Sequence, residues 1–391
     1  MAKEHAPLIV NKALSKGLAE LAGGTLPPDE ARGTLGKLLQ SALRLEFATV
    51  PPYLAAAYSL GNSNERIRHL ILRIAREEML HMTAVANIMN AIGVAPDIVG
   101  AVSAYPCDLD LLEPSLLLDL KSFSFSVVDE LLMRIEVPED PVKYPKKQPT
   151  TVLEALTRPR TIGQFYASII EIIESGVIDG LFDNSQRDLY KQIQVDLRFH
   201  SFAYLDNADD QTYPLKSDIT FLIDDKASAV RHLKWIVEQG EGADPLDPLT
   251  AEGIPGHYYR LASILNARYL IPDPSVKDLK HSFSGADLVF DQQGVHEFDV
   301  NPKHADYVAS APTVATQMKL LNDKYTAMIN DLQTAFNCPT PQDSENAAAA
   351  YGRAIGVMRR MTTNAGAIVR AARNAGIKAG LPFEYLGPGA P

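Results

Sequence analysis

Two cysteines, Cys107 and Cys338, are all that 391 residues contain. They lie far apart and outside any C-x-x-C spacing, which excludes a disulfide framework and a zinc knuckle. A reducing, cytoplasmic setting is expected. No uninterrupted apolar run approaches the roughly 20 residues that span a bilayer, so no membrane partner is expected. The opening Met1-Ala-Lys-Glu-His leads into no apolar stretch of the secretory kind. Dense Lys/Arg runs are missing too, and the net charge of −11 argues against a nucleic-acid partner. Neither a solenoid repeat nor a long low-complexity linker is present. What remains is ordinary globular composition, 46% hydrophobic and 22% charged, enough for a sizeable core.

The periodicity predicts a mainly α protein. Residues 1–30 read as an irregular N-terminal arm. From Thr34 to about Ser59, the residues Leu35, Leu39, Ala42, Glu46, Thr49 and Tyr53 form one helical stripe. From Ser63 to about Ile92, a second stripe joins Ile67, Ile71, Ile74, Glu78, His81, Val85, Ile88 and Ile92. The short Gly61-Asn62 connection makes these helices antiparallel neighbours. Residues 93–160 read as a crossover with some β structure, including a strand at Leu131–Val137. A third helix is expected from Thr161 to about Leu181, and short strands at Ile193–Leu197 and Ile219–Ile223. A fourth covers about Asp225–Gln239 and stops at Gly240, and a fifth runs from Pro255 to about Leu270. A hairpin turning at Gln293-Gly294 and a helical pair, Thr313–Phe336 and Ser344–Asn374, complete the chain. The expected organisation is an arm (1–30), a bundle with β-containing insertions (31–275), and a hairpin plus C-terminal helical extension packing on it (276–391).

Chemistry enters through the core-facing positions of Glu46, Glu78 and His81. An ionised carboxylate in a core costs several kcal/mol unless it is paired, protonated or bound to a metal. Glu78-x-x-His81 puts a carboxylate and an imidazole on one helical face. That spacing is used by carboxylate-bridged di-iron bundles, with further glutamates from facing helices. The mixture of oxygen and nitrogen donors suits iron. The competing reading is a core histidine satisfied by a backbone carbonyl, with Glu78 paired to an arginine such as Arg44. Two inward polar residues opposite a third on the neighbouring helix favour the metal. Glu77, beside Arg73 and Arg76, reads as solvated. Pro51 and Pro52 free the carbonyls of Phe47 and Ala48. Either the helix kinks there, opening space for a substrate, or it ends and another begins.

The wording of the sequence then adds a resemblance. Leu45-Glu-Phe-Ala-Thr-Val-Pro-Pro-Tyr-Leu-Ala-Ala and Arg76-Glu-Glu-Met-Leu-His-Met-Thr-Ala-Val-Ala-Asn resemble the ferritin-like domain of the iminophenyl-pyruvate dimer synthase family, whose members couple aromatic amino-acid imines toward violacein and rebeccamycin. The resemblance continues in Thr161-Ile-Gly-Gln-Phe-Tyr, Val237-Glu-Gln-Gly-Glu-Gly, His257-Tyr-Tyr-Arg-Leu, Asn301-Pro-Lys and Gly380-Leu-Pro-Phe-Glu-Tyr. It implies a ferritin-like bundle and a non-haem mono- or di-iron centre with Glu46, Glu78 and His81 as ligands. By position it adds Glu238, with Glu241 competing, and His257; Glu171 is a weaker candidate. One departure stands out: three residues before His257, where a second Glu-x-x-His would place a glutamate, is Ile254, and Glu252 precedes Pro255.

The implied function is oxidation of a small amino-acid-derived metabolite with dioxygen or peroxide, with oxidative imine coupling as the suggested reaction and Tyr53 and Tyr58 lining the substrate space. A homodimer is the assembly to test. The alternatives are iron handling without turnover (storage, detoxification or a structural bundle) and a metal-free binding protein that keeps only the fold.

Overall fold

A computed structural model describes residues 11–109, 115–138, 161–183, 188–195, 221–242, 247–250, 252–276 and 280–388. Its longer helices, numbered along the chain, are α1 (Asn11–Ala22), α2 (Pro28–Tyr58), α3 (Glu65–Ala91), α4 (Ile162–Ser175), α5 (Lys226–Glu241), α6 (His257–Leu265), α7 (Pro312–Phe336) and α8 (Ser344–Ala375). Two small antiparallel ladders join β1 (Cys107–Leu109) to β2 (Leu116–Leu118) and β3 (Ile271–Pro272) to β4 (His281–Ser282).

Helices α2 and α3 pack along their length as an antiparallel pair, and α4 and α5 form a second pair against them. α2 meets α4 and α3 meets α5, which closes a four-helix arrangement; α6 lies across α3 and α5. The α7–α8 hairpin packs on α3 and α2 from another side. That wrapping explains why residues 45–58 of α2 are buried on every face. It also fits a helix that is apolar well beyond one stripe. The core is continuous from Leu14 on α1 to Phe383 near the C-terminus.

Local chemistry sets the helix ends. Pro28 occupies the first turn of α2, where its missing N–H costs nothing, and Asp29 and Glu30 meet the positive helix terminus. Pro51 and Pro52 lie inside α2, and the helix runs through them. The Ala48 carbonyl, which Pro52 deprives of its usual donor, accepts a hydrogen bond from the Tyr105 hydroxyl at 2.6 Å. A side chain 57 residues away thus replaces the missing backbone donor.

Several expectations are corrected. The N-terminal arm contains α1, whose Leu14, Leu18 and Leu21 form a buried stripe at helical spacing. Leu131–Val137 is not a strand: Val128–Leu132 is a π-helical turn followed by the helical turn Met133–Ile135. A short apolar run carries no period that separates a buried helical turn from a buried strand. α4 ends at Ser175, earlier than expected, capped by Gly176 at φ +70°. α5 passes Gly240 and stops at Gly242, φ +90°. α6 ends at Leu265, and Ala267 at φ +55° turns the chain. Residues 287–299 form no hairpin. Gln292–Gly294 is a 3-10 turn, Val295 bridges to Leu60 and Asp287 bridges to Arg268, so the two arms pair elsewhere. Ile193–Val195 forms no strand, residues 221–223 form none either, and the rest of the two expected strands lies outside the described residues. Residues 1–10 and 139–160 also lie outside the described residues.

Candidate metal centre

Where α2, α3, α5 and α6 converge with the turn after Ile135, two groups of donors come together. Glu46, Glu78 and His81 form one; Glu78, Glu136 and His257 form the other; Glu78 belongs to both. All five residues are buried, none more than 8% exposed.

The contacts show how each donor is aimed. His81 Nδ1 lies 3.2 Å from Glu46 Oε2 and 3.7 Å from Glu78 Oε1. His257 Nδ1 lies 2.9 Å from Glu78 Oε1 and 3.4 Å from Glu136 Oε2. Yet His257 Nδ1 makes no aligned hydrogen bond. Both imidazoles commit the other nitrogen outward: His81 Nε2 to Gln239 Oε1 at 2.9 Å, His257 Nε2 to Glu77 Oε2 at 2.7 Å. With the Nε2 proton donated to those acceptors, each ring in its neutral form would turn a lone pair on Nδ1 into the cluster, where an ion could take it. The two rings stack with centroids 5.5 Å apart.

The carboxylates are pinned in the same way. Tyr166 donates to Glu46 Oε1 and Tyr53 donates to Glu136 Oε1, each in a short hydrogen bond. Thr49 Oγ1 lies 3.2 Å from Glu78 Oε2 and 2.9 Å from the Glu46 carbonyl. Arg260 Nη1 stands 2.7 Å from Glu77 Oε2. Trp235, the one tryptophan of the chain, meets His81 edge-on at 5.3 Å and donates its indole N–H to the buried Glu252 at 2.9 Å.

Two backbone features bring His257 and the cavity mouth into place. Gly256 precedes α6 so closely against the end of α5 that a Cβ there would fall 2.7 Å from Gly242 N. The first helical residue, His257, is thereby set beside α3. At Gly163, in the first turn of α4, a Cβ would fall 2.5 Å from Glu241 Oε1.

Electrostatics set the protonation of the metal-free cluster. Burial and the Glu78 charge push Glu46 up to about 7. Burial alone would lower His81, but Glu46 and Glu78 outweigh it and raise it to about 10. His257 is likewise held well above its usual value against burial, first by Glu136 and then by Glu77 and Glu78. Against the same burial penalty, the two imidazoles hold Glu78 low, and Arg260 with His257 holds Glu77 low. The fixed cation Arg260 stands beside Glu77, and burial among these carboxylates favours protons on His81, His257 and Glu46 when the cluster holds no metal. Cations of higher charge can take their place. Donors about 2.1 Å from a common ion at right angles lie about 3 Å apart. The 2.9–3.7 Å separations around both Nδ1 atoms match that spacing, and the unaligned His257 Nδ1 fits a ligand better than a hydrogen-bond donor. The residues present fit a metal pair.

Of the residues expected at the site, Glu46, Glu78, His81 and His257 are brought together, and Tyr53 touches them through Glu136. Glu171 is on the exposed side of α4, where the buried stripe is Phe165, Tyr166, Ile169 and Ile173. Glu238 is half-buried and in neither group; the α5 stripe of Ala229, His232, Ile236 and Gln239 turns the neighbouring amide inward instead. Glu241 lines the cavity beside Glu46 and His81. Tyr58 is buried elsewhere, near Arg76 and Thr362 in a separate small cavity. Glu77 is not solvated but 2% exposed, and Arg44 binds the Gly100 carbonyl at 3.2 Å. Glu136 was hidden in a segment read as a strand. Glu77 had a legible sign: Arg260, on the same helix face as His257, needs a buried anion.

A ferritin-like family model matches residues 39–266, more than half of the chain and all of the cluster. The chain belongs to the ferritin-like family. Its cluster, α3–α5 and α2 from residue 39 onward lie inside the matched span, whereas α1 and the α7–α8 pair of this ferritin-like protein lie outside it. A solved structure, a ferritin-like protein from Caulobacter vibrioides, is similar at 20% identity and a TM-score of 0.53, covering 90% of this chain and 97% of that one. At that identity the likeness concerns the fold. No curated relative matches the sequence. Among the described residues no helix is long and apolar enough to cross a membrane.

Proposed function

We propose that this ferritin-like protein is a non-haem iron enzyme of the oxidase or oxygenase type, related in chemistry to the iminophenyl-pyruvate dimer synthases and acting on a small amino-acid-derived metabolite. The observation that carries this reading is the pair of carboxylate–imidazole groups sharing Glu78. Oxygen and nitrogen donors without thiolate suit iron. Bound iron would supply redox equivalents from dioxygen or peroxide and Lewis acidity toward a carboxylate or imine.

The chain's own residues do the rest. Glu46, Glu78 and Glu136 supply negative charge, and His81 and His257 present Nδ1 because Gln239 and Glu77 hold their Nε2 protons. Tyr53 and Tyr166 keep Glu136 and Glu46 from rotating. The cavity above the cluster is about 30 Å³, lined by Leu45, Ile162, Ile236 and Val237 beside the polar groups. It admits about one or two water-sized molecules, the scale of dioxygen or peroxide.

That small volume also favours the second reading, iron handling without an organic substrate. Two measurements separate them. Protein from iron-supplemented cells should carry iron, up to two per chain, and should consume dioxygen beyond the uptake of an amino-acid oxidase that, on its own, generates an aromatic 2-imino acid in situ. Iron with oxygen uptake indifferent to the imine, or elution as a large cage on gel filtration, supports storage or detoxification. Protein without iron overturns both.

A further inference from the structure

We propose that a second cavity, between the C-terminal helix α8 and the α2–α3 pair, binds the carboxylate head of a small organic acid, with Tyr58, Arg76, Arg359 and Thr362 as the recognition groups. The proposal is independent of what the carboxylate–imidazole cluster holds, since the two cavities share no wall residue.

Charge is the first observation. Arg76 from α3 and Arg359 from α8 line this cavity, and no carboxylate does. That is a local excess of positive charge in a chain whose net charge is −11. The excess reaches past the wall. Arg68 acts on the Tyr58 hydroxyl together with Arg76. His69, one turn from Arg73, is lowered by burial and then, against Glu65, by Arg68, Arg73 and Arg76. An anion entering from solvent meets a field already arranged for it.

Tyr58 supplies the second observation. It is 8% exposed, and Thr362 Oγ1 donates to its oxygen at 3.4 Å. The phenol's own proton then has no acceptor among the described residues. Burial pushes the hydroxyl above its ordinary value, against Thr362, Arg76 and Arg68, so the proton stays on the oxygen and can be donated. A buried donor left unmet is costly, and an anion seated beside Arg76 removes that cost.

Size selects the ligand. The cavity measures about 20 Å³, room for one or two water-sized groups. The two oxygens of a carboxylate fit, whereas the four of a phosphate or sulfate do not. A guanidinium fork matches a planar carboxylate through parallel hydrogen bonds. Leu54, Leu72 and Met358 give the carbon that follows an apolar wall. Arg359 and Thr362 are exposed, so the cavity opens along α8 and the remainder of the acid lies outward.

The test is titration of acetate into the full-length protein, followed by NMR line broadening of the acetate methyl at constant ionic strength, with chloride as the balancing ion. The expected wild-type result is saturable binding with a Kd on the order of 1 mM, unaffected by equimolar phosphate. Arg359→Gln and Tyr58→Phe should each weaken it about tenfold. Thr362→Glu brings its own carboxylate into the cavity and should abolish binding. Arg359 and Thr362 are surface positions whose replacement leaves the core intact, so loss of binding there is not loss of the fold. The affinity should be equal before and after metal removal with a chelator. A wild type that binds no acetate against chloride overturns the proposal, as does undiminished binding in Arg359→Gln and Thr362→Glu. Acetate that binds only while metal is present sits on the cluster, which also overturns it.

Discussion

Replacing Glu78 with glutamine separates a shared carboxylate from two independent sites. The substitution keeps the shape and an oxygen acceptor for Thr49, which stands 3.2 Å from Glu78 Oε2, while removing the charge that both groups use. An ion at a free concentration of a hundred times its Kd stabilises the fold by about 2.7 kcal/mol, so two such ions contribute about 5 kcal/mol. Domains of 150–250 residues gain about 2–4 °C per kcal/mol, and a chain of 391 residues gains less, about 1–2 °C. Loading the wild type should therefore raise its melting temperature by roughly 5–10 °C. The His81→Ala protein should keep about half of that shift, and the Glu78→Gln protein almost none. The metal-free Glu78→Gln protein should itself melt lower, because an acid flanked by two imidazoles is lost, at a cost of about 3–5 kcal/mol. Differential scanning fluorimetry with and without Zn²⁺, alongside metal content per chain, reads each quantity. A full metal-induced shift in Glu78→Gln would refute the centre, and a half shift would refute the sharing.

Other expectations follow from the same geometry. Stability of the metal-free protein should fall as pH rises from roughly 5 to 9. Glu46, raised from 4.5 to about 7, stabilises fully below 4.5 and loses its contribution through 7; His81, raised from 6.5 to about 10, does so fully below 6.5 and loses it through 10. Urea midpoints across that range check the sign, and saturating Zn²⁺ should flatten the decline because bound ions replace the protons. Tyr166→Phe removes the donor to Glu46 Oε1 and should cost the metal-free protein about 1–3 kcal/mol. Tyr53→Phe should cost a similar amount through Glu136, both read from urea unfolding, and no measurable loss in either would show those contacts to be incidental. Gly163→Ala places a methyl where Glu241 Oε1 now lies, 2.5 Å from the Cβ position. The carboxylate must swing away, so ferrous uptake measured by stopped flow should change several-fold. Final stoichiometry should stay fixed, and overall stability should hold within about 1 kcal/mol because alanine favours the helix.

The helical frame was legible because burial imposes a period. The stripe Ile67, Ile71, Ile74, Glu78, His81, Val85 runs through α3 as the periodicity predicts, and the antiparallel α2–α3 pair follows from the short connection. The stripes also placed Glu46, Glu78 and His81 on inward faces. Less was legible where an element is short or its partner distant. Val128–Leu132 forms a π-turn that no periodicity distinguishes from a strand, and Glu136 was lost with it. At Pro51-Pro52 the outcome rested on Tyr105, whose hydroxyl satisfies the Ala48 carbonyl from far along the chain.

By itself the sequence determined the helical architecture and the inward stripes of α2 and α3 that carry Glu46, Glu78 and His81, since both depend on the spacing of apolar residues along one chain. Tertiary structure alone decided that Glu136 joins Glu46, Glu78, His81 and His257, and that Gln239 rather than Glu238 meets His81. It alone turned Glu77 from an apparently solvated residue into the buried partner of His257 and Arg260. The physical reason is the same in each case: a buried charge is tolerated only by what faces it, and what faces it comes from another helix.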